Sequence, residues 1–125
     1  MAVRRLLKAE WSTYCDRVSQ YLETRRAEIE VVGLDLGDHI EARWLPVFGV
    51  VYEPDADVFE IALEGLDHRI EHPVDVFVEE TTRGVVAIEV ITADSCRQIV
   101  KLSEPVPLPT ATPFRRREAG RSQTA

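Results

Sequence analysis

Val74-Asp75-Val76-Phe77-Val78-Glu79, then Glu80-Thr81-Thr82-Arg83-Gly84, then Val85-Val86-Ala87-Ile88-Glu89-Val90-Ile91 is the stretch that decides the fold. Its opening sets Val74, Val76 and Val78 against Asp75, Phe77 and Glu79, the period of two that puts one side of a strand on a core. The link closed by Gly84 is far shorter than the crossover that parallel strands need, so Val85–Ile91 is expected to return as an antiparallel neighbour. A second short turn, Thr92-Ala93-Asp94-Ser95, leads to a further strand from Arg97 to Leu102.

The same grammar runs upstream. Val58 to Glu64 places Phe59, Ile61 and Leu63 inside and Glu60 and Glu64 outside. Before it, Glu53-Pro54-Asp55-Ala56-Asp57 is a turn, since proline fixes a backbone angle and aspartates bond to nearby amides. Val47 to Tyr52 reads as a short apolar strand kinked at Gly49. His39 to Leu45 reads as a strand with Ile40, Ala42 and Trp44 on one face and Glu41 and Arg43 on the other. Pro46, which cannot donate to a ladder, ends that strand or marks a bulge. Glu28 to Val32 is the first strand, closed by a turn through Leu34-Asp35-Leu36-Gly37-Asp38, and Gly65 to Pro73 reads as a connector.

In front of the strands, Trp11, Cys15, Val18 and Leu22 recur at helical spacing over Lys8 to Arg26, with Tyr14 and Tyr21 widening the stripe. Ser12 is a capping residue for a helix starting one turn later than Lys8, and Arg25 and Arg26 fall where the helix dipole favours positive charge. So short a helix is marginal alone, and its stripe is expected to lie on the sheet. Residues 1–104 are therefore read as one α+β domain, an N-terminal helix packed on a twisted antiparallel sheet of five to seven short strands. That sheet has the means to curl into a small SH3-like open barrel. Residues 105–125, with Pro105, Pro107, Pro109, Pro113 and Arg115, Arg116, Arg117 and Arg121, read as a flexible tail.

Composition narrows the function classes. The chain has 125 residues, 45% hydrophobic and 30% charged, enough for one core. No apolar run approaches the ~20 residues that cross a bilayer. The N-terminus starts like a signal peptide but meets Lys8 and Glu10 too early, so a cytoplasmic location away from membranes is expected. Cys15 and Cys96 are too few for a disulfide scaffold or a zinc site. Residues 1–104 carry 21 acidic against 11 basic side chains, a net of −10 within a total of −7, which disfavours nucleic acid.

Asp67, His68 and His72 are the first candidate functional residues, two histidines among carboxylates between strands. On a helix, His68 and His72 would share a face and approach one metal; extended, they stand about 13 Å apart. The structural alternative has His68 bonding across a turn, Asp67 capping it and His72-Pro73 setting the next strand's entry. It outweighs the chemical reading, so no catalytic residue, metal ligand or cofactor is assigned. Ten carboxylates between residues 53 and 80, against Arg69 alone, read as a solvated face or a docking surface for a basic partner. Trp44, Phe48 and Tyr52 read as core aromatics, or else as the walls of a small-molecule pocket.

Several stretches carry a resemblance: the Trp11 helix, Ile29-Glu30-Val31-Val32-Gly33, Val51-Tyr52-Glu53-Pro54-Asp55-Ala56-Asp57, Glu60-Ile61, Asp67-His68-Arg69-Ile70-Glu71-His72-Pro73, Glu89-Val90 and Ala93-Asp94-Ser95. As a set they resemble DUF5335, a family of small bacterial proteins of unknown function, over nearly everything except the proline–arginine tail. Ser95 stands where that family commonly carries glycine. The resemblance implies a bacterial cytoplasmic domain, draws attention to Asp67 and His68, and transfers no catalytic role. The expected role is a non-enzymatic accessory or protein-interaction domain that self-associates as a homodimer or meets a protein partner. The alternatives are a small-molecule binding module around Trp44, Phe48 and Tyr52, and a metal-dependent or acid–base enzyme centred on Asp67, His68 and His72.

Overall fold

Eight strands and one α-helix build residues 2–33 and 37–109, the part that the computed structural model describes. Residues 34–36 of the turn expected over Leu34–Asp38 and the arginines of the tail lie outside it, and Gly37 and Asp38 open β3. In chain order the elements are β1 (Ala2–Leu6), a 3-10 turn (Lys8–Glu10), α1 (Trp11–Gln20), β2 (Arg26–Gly33), β3 (Gly37–Glu53), β4 (Val58–Leu63), β5 (Leu66–Glu71), β6 (Pro73–Thr81), β7 (Gly84–Thr92) and β8 (Arg97–Val106). The strands lie in the order β1-β6-β7-β8-β2-β3-β4-β5, each antiparallel to its neighbours. Among the described residues β1 and β5 do not pair, so the sheet is not closed into a barrel.

The deciding hairpin forms as its pattern demands. Val76 pairs with Val90 and Val78 with Ile88, and all four are buried. Val74 breaks the expected alternation and is 50% exposed, because a register shift between Pro73 and Asp75 turns it outward.

The two strands expected on either side of Pro46 are one, and it changes partner there. Residues 37–46 of β3 pair with β2, and Val47–Glu53 pair with β4. The chain thereby folds a smaller layer, the second half of β3 with β4 and β5, over the inner side of a six-stranded layer. Ile29, Ile88 and Val100 of the larger layer share one core with Val50, Ile61 and Ile70 of the smaller. A second shift, between Ile29 and Glu30, separates Ile40 from Ala42: Ala42 pairs with buried Ile29, whereas Ile40 pairs with Glu30 on the outer face. Trp44, at φ 53, is 39% exposed, so the expected common face of Ile40, Ala42 and Trp44 does not exist.

Helix α1 buries Trp11, Tyr14, Cys15 and Val18 but stops at Gln20, short of the expected Arg26. Glu23 has φ 51, and Arg26 already opens β2, which gains ladders to both β3 and β8. Leu22 still plugs the core. Arg25 bonds the helix-end carbonyls of Tyr21 and Leu22 and reaches Pro105 O at 2.7 Å. Among the described residues the second half of β3 has no strand on its other edge. The helix lies there, and Ser19 Oγ both donates to Val50 O (2.7 Å) and accepts from Val50 N (2.8 Å). Trp11 meets Tyr52 and Phe59 with ring centroids 5.2 and 5.5 Å away.

Two strands and the end of a third went unread in the sequence. β1 is an arginine-bearing edge strand, β5 occupies the supposed connector, and β8 runs past Leu102 to a buried Val106. Gly84, at φ 138, lets Val106 pass; a Cβ there would fall on the Val106 carbonyl. No helix among the described residues is long and apolar enough to cross a membrane.

Candidate functional site

β5 holds the candidate histidine segment at the edge of the smaller layer. Asp67 is exposed opposite Ala62, and Ile70 is fully buried. His68, on the inward side, is half-buried, and its Nε2 lies 2.6 Å from Gln98 Oε1 on β8 of the other layer. His72 leaves the strand at φ 55, and its carbonyl accepts a bond from Ala93 N at 2.9 Å. These two ties bring residues 67–73 and 92–98 into one corner.

The turn on the far side is self-bonded. Thr92 Oγ1 donates to Asp94 Oδ1 at 2.5 Å, Cys96 N donates to the same oxygen at 3.3 Å, and Ser95 N donates to Thr92 O. Those donors, Thr92 foremost and then the Cys96 backbone, hold the Asp94 carboxyl below its ordinary 3.8. Ser95 adopts φ 68, the left-handed region that favours glycine.

Between the segments lies a cleft of about 400 Å³, lined by Arg69, Glu71, His72, Thr92, Asp94 and Gln98 among others. Most of its polar groups already have partners. Arg69 pairs with Glu60 at 2.6 Å and with Glu71 at 3.8 Å, Asp94 is held by its turn, and Gln98 by His68. His68 and His72 are not aimed at a shared position: the first reaches across to the other layer, and the second lines the cleft from outside the strand. Among the described residues no three His, Cys, Asp or Glu side chains gather as a metal would require. Thr92, Asp94 and Gln98 were legible in the sequence only as turn and strand residues, since nothing local ties them to a segment far behind them in the chain, Gln98 standing 30 positions after His68.

The aromatic trio is not assembled. Tyr52 is 4% exposed inside the core and donates to Asp57 Oδ1 at 2.7 Å; burial first, and that bond second, push its hydroxyl up to about 12. Trp44 and Phe48 face outward, Phe48 at 64% exposure, so the three share no wall.

A second surface emerges from the register. Across the outer side of the six-stranded layer, one row reads Arg5, Phe77, Glu89, Ile99, Glu30 and Ile40. The next reads Val3, Glu79, Ala87, Lys101 and Glu28, and a third Asp75, Ile91, Arg97 and Val32. Neither α1 nor the smaller layer covers this side, and Val3 is 65% exposed. Phe77, Ile91, Ile99 and Ile40 are half-buried among charged neighbours, and a shallow hollow of about 240 Å³ lies over Phe77, Ala87 and Ile99. Arg5 bonds Asp75 at 2.9 Å, Arg97 bonds Glu89 at 2.5 Å, and Lys101 bonds Glu30 at 3.1 Å. Lys101 holds the Glu30 carboxyl below its ordinary value. Glu28 has a side chain only 11% exposed, and its cations Arg43 and Lys101 both stand at 3.8 Å, beyond hydrogen-bond reach.

Comparison with known proteins gives a family but no activity. Residues 2–111 match the model of a family of unknown function, DUF5335. A relative from Aquifex aeolicus, described as an uncharacterized protein, is 36% identical over 110 residues, spanning 87% of this chain and 99% of its own. No solved structure gives a significant match.

Proposed function

The chain belongs to the DUF5335 family of unknown function, and within that family we propose that it is a cytoplasmic, non-enzymatic protein-interaction domain working through the outer face of its six-stranded layer. One observation carries this reading: Phe77, Ile91, Ile99 and Ile40 occupy positions on the solvent side of an antiparallel sheet, where alternation ordinarily places polar residues. Large apolar side chains set between paired charges are the composition of a surface that is covered part of the time. The histidine corner supports the same reading from the other side, because its bonds from His68 to Gln98 and from Ala93 N to His72 O tie the two layers together.

A photo-reactive residue placed at Ala87, in the middle of the face, tests it in cells. The expected result is one discrete cross-linked product that disappears when Ile99→Lys is added and is absent when the probe sits at exposed Thr13 on α1. Equal products at both positions, or none at Ala87, would overturn the proposal.

A further inference from the structure

The partner on this face can be named from charge and symmetry; we infer that it is a second copy of the same chain, an inference that rests on the interaction reading above. Two copies carrying −7 each repel over most of their surfaces. The outer face carries both signs: Arg5, Arg97 and Lys101 stand among Asp75, Glu79, Glu89, Glu28, Glu30 and Asp38. Apolar side chains fill the positions between them.

The arrangement is also self-complementary. The basic strand β8, with Arg97 and Lys101, runs between Glu89 on β7 and Glu28 and Glu30 on β2. A two-fold axis lying between the two faces, parallel to the strands and beside β8, lays the basic strand of one copy over an acidic strand of the other. The same operation brings the row of Phe77, Ile99 and Ile40 against its own equivalent. Sheets packed face to face in this way leave about 10 Å between layers, the depth that such side chains fill. Glu28 supplies a separate pointer. Its carboxylate is nearly buried on a face that no described element covers, with both of its cations out of hydrogen-bond range, and a cation from the facing copy would complete it.

Sedimentation equilibrium of the full chain reads the outcome directly. The mass is expected at twice the chain's 14.2 kDa, falling to once that value in Ile99→Lys and in Phe77→Lys, and staying doubled in Phe48→Lys, which charges an exposed aromatic away from this face. Circular dichroism and the Tm of each variant identify any that has unfolded, and Ile99→Thr, a milder change in a strand, then takes its place. A monomeric wild-type chain, or a dimer untouched by the face variants, overturns the inference. A monomer whose Ala87 probe still captures a different protein removes the second copy and leaves the interaction reading standing. A monomer with no cross-link at Ala87 removes both.

Discussion

Glu80 stands where β6, β1 and α1 meet, taking bonds from Tyr14 Oη at 2.8 Å and Arg4 Nε at 3.1 Å. Burial works against its charge, but the bonds from Arg4 and Tyr14 outweigh it and hold the carboxyl below its ordinary 4.5. Burial first, and the same carboxylate second, carry Tyr14 well above the usual phenol range. Because the folded protein binds this proton more weakly than the unfolded chain, the contribution of Glu80 is complete above pH 4.5 and is lost as pH falls through the lower folded value. Glu80→Gln keeps the shape and removes the charge. We expect it to cost about 1–2 kcal/mol at pH 7 and almost nothing at pH 2, read from urea unfolding at the two pH values. Equal losses at both would mean that Glu80 acts through packing alone.

A helix that replaces a strand is the unusual element here. An uncovered edge offers free N–H and C=O groups, and the second half of β3 has one because its partner β2 leaves at Pro46. Ser19 on α1 satisfies both groups of Val50 with a single hydroxyl. Ser19→Ala strips a half-buried donor and acceptor together. The expected cost is about 1–3 kcal/mol, seen as a lower urea midpoint with an unchanged slope. Ser12→Ala, about two turns earlier on the same helix, is expected to stay within about 0.5 kcal/mol, since the N-cap position falls to Glu10 instead. If the two substitutions cost the same, the helix is held by its apolar stripe and the edge bond is incidental.

For the molecule as a whole, the two cysteines report how the core opens. Cys15 is 1% exposed, and burial pushes its thiol up to about 12. Cys96 is half-buried in the β7–β8 turn. A thiol reagent followed by mass spectrometry is expected to modify Cys96 rapidly in the native protein. Cys15 should react only at the rate of global unfolding, with a urea dependence to match. Comparable rates at both would show that α1 lifts from the layers on its own.

Neighbours along the chain settle the local half of this fold. Val76, Val78, Phe59, Ile61 and Leu63 alternate, so the strands, their antiparallel sense and their buried faces were legible in the sequence, as was the stripe from Trp11 to Leu22. Everything that depends on pairing waited for the folded molecule. Register shifts beside Pro73 and Ile29 turned Val74 and Ile40 outward, and no local pattern announces a shift that a partner strand imposes. β1 and β5 became strands because open edges accepted them, although their own residues are charged and weakly patterned. The candidate site divides in the same way. Asp67, His68 and His72 stood out by residue type, but His68 acquired its role from Gln98, which the folding of one layer over the other brings within 2.6 Å. Spacing along a chain specifies which side of an element is oily. Which sides meet is set by ladder bonds and packing between segments far apart in sequence.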